Sequence, residues 1–436
     1  MEAAPVAWLL AEVPAQQRFA GLRRALAMSP EAVVAEVEAA RLCGRGGAGF
    51  PTAVKWRTAA AGPAPRFVVV NGGEHEPGSF KDRLLMERHA DRVVEGALIA
   101  AHAVGAAGLF FYVNRTFPQA AAALQQAVAL ARAEGLLGEL AVRTVEAPSV
   151  YVAGEETAAL EVIEGRPPQP RRKPPYPARA GLWGCPTVVN NVETLAQAAV
   201  VLRLGAERIR RVGTPDSPGT LLVSVTGWVN RPGVYEVPFG TPLREVIEGM
   251  AGGVWGGRPL KAVQPGGPSS AFLGPAALDT PLDPAALERA GSWLGCGAIR
   301  VVAQGVCMAE ELLRIAGFFA GESCGQCGPC LQGTRRMEQL LQSLRLGIRG
   351  TGALDLLRRL GSRLPGKGIC ALVSGAAAPV ASALALFPAD FEHHARYGVC
   401  PQLGPLPRRG DRGRLWQPAG PGPGWRRLRR GRRGRP

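Results

Sequence analysis

Apolar and polar positions divide the chain into three textures. In the first, Pro30 to Leu42 repeat apolar positions at helical spacing, with Val33, Val34, Val37 and Ala40 on one side. Phe67-Val68-Val69-Val70 is a run of β-favouring residues that predicts a buried strand ending at Asn71-Gly72-Gly73. Lys81 to Val104 predicts one long helix, Leu109 to Val113 a second strand, and Pro118 to Glu134 a further helix. Strand, helix, strand, helix is the pattern of an α/β layer on a parallel sheet. Arg166 to Pro177 holds six Pro, so no regular helix runs through it, and Asn190 to Leu204 reads as helical again.

From Gly219 the texture changes. Leu221 to Val225 and Val234 to Val237 are short strands joined by the turn Asn230-Arg231-Pro232-Gly233. Pro242 to Met250 predicts a short helix and Leu260 to Val263 another strand, which makes a small α+β domain. The third texture is helical: Met308 to Phe319, Gly328 to Leu344, Gly352 to Leu360 and Ala371 to Leu386 are apolar on one side. Past Arg396 the periodicity stops and Gly, Pro and Arg dominate, which predicts a disordered tail. The expected divisions are 1–215, 216–300, 301–395 and the tail 396–436.

Composition changes this picture in two places. The chain has 436 residues, 47% apolar and 20% charged, which excludes a disordered or fibrous protein. Its net charge is +16, yet Gln402 to Pro436 alone hold eleven Arg and one Asp. The body is therefore only mildly basic. Trp416 and Trp425 lie among the tail arginines, but an extension of an Arg-biased gene explains the tail better than a nucleic-acid site, and no nucleic-acid partner is expected. There are five Lys in the chain, and Lys55, Lys81 and Lys173 all fall in or beside the motifs below, where a compact ammonium is expected to matter. The N-terminus has no export pattern, and the apolar run Gly96 to Val113 is broken by His102, so no membrane span is expected. A cytoplasmic setting follows, in which clustered cysteines are metal ligands or redox groups rather than disulfides.

Nine Cys are present. Cys324, Cys327 and Cys330 sit at x2, x2 spacing in Ser323-Cys-Gly-Gln-Cys-Gly-Pro-Cys330, and Cys370 follows Gly366-Lys-Gly-Ile369. Four thiolates are what a [4Fe-4S] centre needs. Structural zinc more usually shows two separated C-x2-C pairs and is the weaker alternative. The loop Gly44-Arg45-Gly46-Gly47-Ala48-Gly49-Phe50-Pro51-Thr52 can turn backbone N–H groups toward a phosphate, or be a plain structural turn. Asn71-Gly72-Gly73-Glu74-His75-Glu76-Pro77-Gly78 ends a strand, where α/β proteins bind ligands, or is a solvated acidic turn. His75 reads as a solvent-facing loop residue rather than a catalytic base. Three shorter segments follow: Tyr151 to Thr157, Lys173 to Pro177, and Asn190 to Thr194.

In this order the segments closely resemble the NADH-binding flavoprotein subunit of respiratory complex I and the related diaphorase subunits of hydrogenases and formate dehydrogenases. The resemblance runs from about Gly21 to about Phe391. It implies a Rossmann-like α/β domain for FMN and NADH, then a small ubiquitin-like β-grasp domain, then a helical bundle holding one [4Fe-4S] cluster. By resemblance, Gly44, Arg45, Gly46 and Lys55 would cradle the FMN phosphate region. Asn71, Glu74, Tyr151, Gly154, Glu155, Asn190, Asn191 and Thr194 would line the flavin. Phe50, Glu76, Glu156, Lys173 and Tyr176 would face NADH, and Cys324, Cys327, Cys330 and Cys370 would hold the cluster. The implied activity is NADH dehydrogenation: a flavin takes two electrons together and releases them one at a time to the cluster. No side chain need act as nucleophile or base. The implied partners are a small [2Fe-2S] thioredoxin-like subunit and a larger iron-sulfur subunit. The alternatives are a hydrogenase or formate dehydrogenase diaphorase, or a divergent paralogue acting only as an electron relay. The chain departs from the family at four places. Gly73 stands where Asp is common and His75 where a small residue is common; Arg57 and Thr58 replace an aromatic, and Leu331 replaces Arg.

Overall fold

The structure, a computed structural model, describes residues 7–397 apart from 347 and 349. The tail expected from 396 onward, and Cys400 with it, lies outside the described residues beyond Tyr397. The first sheet is parallel: β1 (Phe67–Gly72), β2 (Gly108–Asn114), β3 (Ala141–Ala147) and β4 (Thr187–Asn191), in the order β3-β2-β1-β4. The chain steps outward from β1 to β3, then returns to lay β4 on the other side of β1. The strand order reverses there, so the gap beyond the carboxyl ends of β1 and β4 is a topological switch point. Helices cover both faces, which is why β2 (GLFFYVN) is buried along its whole length. Behind the sheet, Ala90–Val104 packs tightly on Val192–Leu204. A Cβ on Gly96 would fall 1.8 Å from the Leu195 carbonyl oxygen, so only glycine allows that approach.

The long helix expected over Lys81 to Val104 is two helices, Lys81–Arg88 and Ala90–Val104. They break at His89, whose φ of −132° and ψ of 37° leave the helical range. Both pieces carry apolar faces, which is why the pattern reads as one. The first piece packs mainly on Pro118–Ala133 and the second on Val192–Leu204.

The second sheet has the order β6-β5-β8-β7, from β5 (Thr220–Gly227), β6 (Gly233–Pro238), β7 (Leu260–Gln264) and β8 (Ala298–Ala303). β5 and β8 are parallel, and each has an antiparallel neighbour, the β-grasp arrangement. β8 spans the division expected at residue 300. Its six buried residues adjoin the helical zone, and their short apolar run carries no period of its own. The helix expected over Pro242 to Met250 is a single π turn, Glu245–Met250.

Among the described residues the third zone holds five helices: Met308–Gly321, Gly328–Arg345, Gly350–Arg363, Leu372–Leu386 and Pro388–Tyr397. Leu312, Ile315, Phe319, Met337, Leu341, Leu357, Val380 and Phe391 form their common core. Among the described residues no single helix is long and apolar enough to cross a membrane. One bent pair, Leu372–Leu386 with Pro388–Tyr397, passes on length and composition, but Val373, Ala377, Val380 and Ala383 are buried in the bundle.

Candidate functional site

Three loops meet at the switch point. The first is the glycine loop before the helix Thr52–Ala60. Its ends are tied, with the Gly44 N–H donating to the Phe50 carbonyl and the Thr52 N–H to the Leu42 carbonyl, both at 2.9 Å. Gly47 and Gly49 have φ of +122° and +62°, which L side chains rarely adopt, and a Cβ on either would meet nothing within 4 Å. Backbone N–H groups there can face an anion with no side chain between. The loop leans on the helix Val192–Leu204: the Arg45 N–H donates to Thr194 Oγ1 at 2.8 Å. A Cβ on Gly46 would lie 3.1 Å from that of Asn191.

The Arg45 side chain leaves the loop. Its guanidinium lies over the Phe239 ring at 4.5 Å, donates to the Cys43 carbonyl at 3.0 Å and points at Glu193 at 4.0 Å. Glu193 belongs to a buried ionic network. Lys81 Nζ lies 2.8 Å from both Glu193 and Asp82, and its side chain is 1% exposed. Asn191 Nδ2 donates to Asp82 at 2.6 Å, and the Leu222 N–H of β5 donates to Glu193 at 2.8 Å. Burial alone would lower the Lys81 pKa, but Asp82, Glu193 and Glu74 outweigh it and hold the ammonium charged. The network joins the two sheets. Asn191 also caps its helix, with Oδ1 accepting from the Glu193 N–H at 3.0 Å.

The second loop follows β1. Asn71 Nδ2 donates to the Gly154 carbonyl at 2.9 Å. Glu74 accepts from Ser79 Oγ at 2.6 Å and from the N–H groups of Asp82 and Arg83 at 3.1 and 2.9 Å, so it caps the helix Lys81–Arg88. Burial, with the Asp82 charge beside it, pushes the Glu74 carboxyl up to about 7. His75, expected to face solvent, instead turns its ring inward against Gly73 and Gly154, and its Nε2 is buried. Glu76 accepts from Tyr151 Oη at 2.7 Å and from the Ser269 N–H at 3.0 Å, and burial raises its pKa. Tyr151 packs edge-on against Phe318 and Phe319, and its N–H donates to Glu322 at 2.6 Å. Glu76 and Tyr151 therefore stand where all three zones join.

The third loop runs through Tyr151 to Thr157. Glu155 caps the helix Glu156–Ile163 through the N–H groups of Thr157 and Ala158. Lys173 Nζ is 2.7 Å from Glu155 and 2.9 Å from Glu156. Lys55 Nζ is 3.3 Å from Glu156 and donates to the Val189 carbonyl of β4 at 2.8 Å. Burial would raise the Glu156 pKa, but the two ammonium groups hold it below the ordinary carboxylate value. Phe50, just before the helix bearing Lys55, and Tyr176, just after Lys173, are 50% and 58% exposed. Asn190 Oδ1 accepts from the buried Trp56 Nε1 at 2.8 Å.

The cysteines sit at helix ends. Cys327 stands at the N-cap of Gly328–Arg345, Cys330 lies in its first turn behind Pro329, and Cys370 precedes Leu372–Leu386. Gly325 and Gly366 turn the two loops with φ of +78° and +75°. Burial pushes the Cys330 thiol up to about 11, against a Ser323 Oγ bond at 3.3 Å, and Cys324, Cys327 and Cys370 add to the rise. The four sulfurs thus share one electrostatic neighbourhood. Among the described residues no three His, Cys, Asp or Glu side chains are close enough to hold a single metal ion. Cys370 also feels the Glu155 charge, so the cysteine loop lies beside the third loop.

Sequence motifs alone do not single out Trp56, Asp82, Glu193, Ser269 or Glu322. A lysine in an Arg-rich chain is the one signal that points to the Lys81 network. A cavity of about 730 Å³ lies elsewhere, beside Trp8, Arg24, Glu36 and Arg208, and gathers none of the motif residues. For the implied groups the residues present are a fit: an open glycine cradle, four thiols in one electrostatic neighbourhood, and two buried polar atoms without partners, His75 Nε2 and Tyr112 Oη.

Three family models match the chain in succession. The Nuo51 FMN-binding domain matches residues 37–200, the SLBB domain 222–272, and the NADH-ubiquinone oxidoreductase-F iron-sulfur binding region 310–394. The F subunit of NADH-quinone oxidoreductase from Streptomyces coelicolor is 40% identical over 90% of each chain. The corresponding Escherichia coli protein is 40% identical over 88% of this chain and 89% of its own. Among solved structures, air-oxidized NAD+-reducing [NiFe]-hydrogenase matches with a TM-score of 0.79 and 35% identity, over 89% of this chain and 66% of that one. The chain belongs to the family of NADH-quinone oxidoreductase F subunits.

Proposed function

We propose that this chain oxidises NADH on FMN and passes the electrons singly through its own [4Fe-4S] centre to partner subunits. The observation that carries this reading is the shared joint. Tyr151 reaches Glu322 beside the cysteine loop, and Glu155 lies close enough to Cys370 to shift its pKa. Bound FMN supplies the exchange between two-electron and one-electron chemistry. The chain supplies the rest. Backbone N–H groups of Gly46 to Gly49 receive the FMN phosphate. Asn71, Asn190, Asn191 and Thr194 fix the walls of the flavin site through their own bonds. Glu156 and Lys173, with the exposed rings of Phe50 and Tyr176, form the face that takes NADH, and Lys55, on the FMN phosphate side, ties Glu156 to β4. Glu74, Glu76, Tyr151 and Glu155 hold the three loops in register. Cys324, Cys327, Cys330 and Cys370 hold the cluster.

The chain would work as one subunit of a larger complex, beside a small [2Fe-2S] subunit and a larger iron-sulfur subunit, on the cytoplasmic side of a membrane. The likeness to the NAD+-reducing hydrogenase favours a second setting, as a diaphorase subunit, with the same chemistry and different neighbours. The test is anoxic reconstitution with FMN, iron and sulfide. NADH-dependent ferricyanide reduction is expected. A cluster spectrum with neither flavin retention nor NADH oxidation would replace this reading with an electron relay.

A further inference from the structure

We propose that His75 contacts the flavin, donating a hydrogen bond from Nε2 to an acceptor atom of the bound isoalloxazine ring. The inference rests on FMN binding at the switch point and adds a residue that the family resemblance does not supply. It begins with Asn114 at the end of β2. Asn114 Oδ1 accepts from the Thr116 N–H at 3.1 Å, from Thr116 Oγ1 at 2.9 Å and from Ser149 Oγ at 3.0 Å. A backbone N–H can only donate, so the oxygen of the Asn114 amide is fixed on that side and the nitrogen on the other. Asn114 Nδ2 lies 3.2 Å from His75 Nδ1. An amide nitrogen also only donates, so Nδ1 must accept. The proton of the neutral ring then sits on Nε2.

The ring is neutral, because burial lowers the His75 pKa to about 4. Nε2 is buried and has no partner, so a pre-oriented N–H donor lacks an acceptor. Its position is set by two glycines. A Cβ on Gly154 would come 3.2 Å from His75 Cδ2, and a Cβ on Gly73 would come 3.2 Å from His75 Nε2. The imidazole fills the space that a side chain at 73 would need. The same Cβ on Gly73 would lie 3.2 Å from Asn71 Oδ1 and from Tyr112 Cε1. Tyr112, paired in register with Asn71, also has a buried hydroxyl without a partner. Polar groups thus converge on Gly73, at the carboxyl end of β1 where the ligand is expected. Gly73 leaves room for the imidazole of His75, and the group presented there is an N–H donor.

A neutral donor stabilises the negative charge that the ring gains on reduction, so it favours reduced flavin over oxidised. The test compares wild type with His75→Phe, which keeps a ring between the glycines, and His75→Gln, which keeps a donor. His75→Phe is expected to weaken reduced FMN about tenfold more than oxidised FMN. That lowers the flavin midpoint potential by about 30 mV for a two-electron couple. His75→Gln is expected to recover part of the shift. A readout without any variant is the His75 Nε2 nitrogen NMR signal of histidine-labelled chain, which should stay protonated and move when FMN is added. An unchanged potential in His75→Phe, or an Nε2 signal indifferent to FMN, overturns the inference while leaving FMN binding intact. Failure of wild type to retain FMN overturns the proposed function with it.

Discussion

At the end of the parallel sheet, Lys81, Asp82 and Glu193 are paired with almost no exposure, and the half-buried Asn191 donates to Asp82. At the end of the bundle, Cys324, Cys327 and Cys370 stand at or just before helix starts with Cys330 in a first helical turn, and the other three all act on the Cys330 thiol. The first region is bonded internally without any ligand. Its charges are matched internally, and what it offers a flavin is backbone and a few free atoms. The second offers four thiols, whose charge iron would match under the proposed function. One half of the proposed site is held by the protein, and the other would be completed by its metal.

The largest effect should come from the second half. Cys327→Ala is expected to reduce iron and sulfide content to background while FMN retention and NADH-dependent flavin reduction persist, read by metal analysis and flavin absorbance. Loss of flavin together with iron would show that the two halves are not separate. In the first half, Lys81→Met leaves two buried carboxylates without their cation and should cost about 3–5 kcal/mol in a denaturant melt. A smaller loss would mean that water reaches the network.

A subtler check lies behind the flavin half, where Glu95 accepts from the Leu22 N–H at 3.0 Å. Burial raises its carboxyl to about 7, against 4.5 unperturbed. Between those values the folded chain keeps a proton that the unfolded chain has lost, so Glu95 makes stability fall as pH rises from about 4.5 to about 7. Glu95→Gln should remove that slope, at most about 3 kcal/mol across the range, in melts at several pH values. The smallest effect is kinetic. Lys173→Met should raise the KM for NADH about tenfold with kcat little changed, because the residue positions a binding face and not a transition state.

The cysteine half stands out in the sequence because three of its four thiols lie at close spacing and thiols are chemistry-bearing groups. The glycine loop and the strand-end motif are legible for the same reason. The motif assigns Arg45 to a phosphate, whereas its side chain reaches Glu193 and Phe239. Glu193 sits two residues after a helix cap, and Asp82 follows Lys81, so each reads locally as an ordinary surface charge. Their meaning comes from a pairing between distant segments, Lys81 and Asp82 on one side and Asn191 and Glu193 on the other; Asp82 and Asn191 are 109 residues apart. β8 and the break at His89 are hidden because a short apolar run has no period, and two helices in line look like one. His75 reads as a solvent-facing residue because nothing in the local sequence shows Asn114 and Gly154 closing around it.

The most direct measurement is an anoxic titration of the reconstituted chain with NADH, following flavin absorbance and the electron paramagnetic resonance of the cluster together. If this chain carries electrons from NADH through FMN to its own iron-sulfur centre, both signals change in one titration, with about 1.5 NADH consumed per chain for three electrons. Flavin that is reduced beside a cluster that stays oxidised would contradict that path.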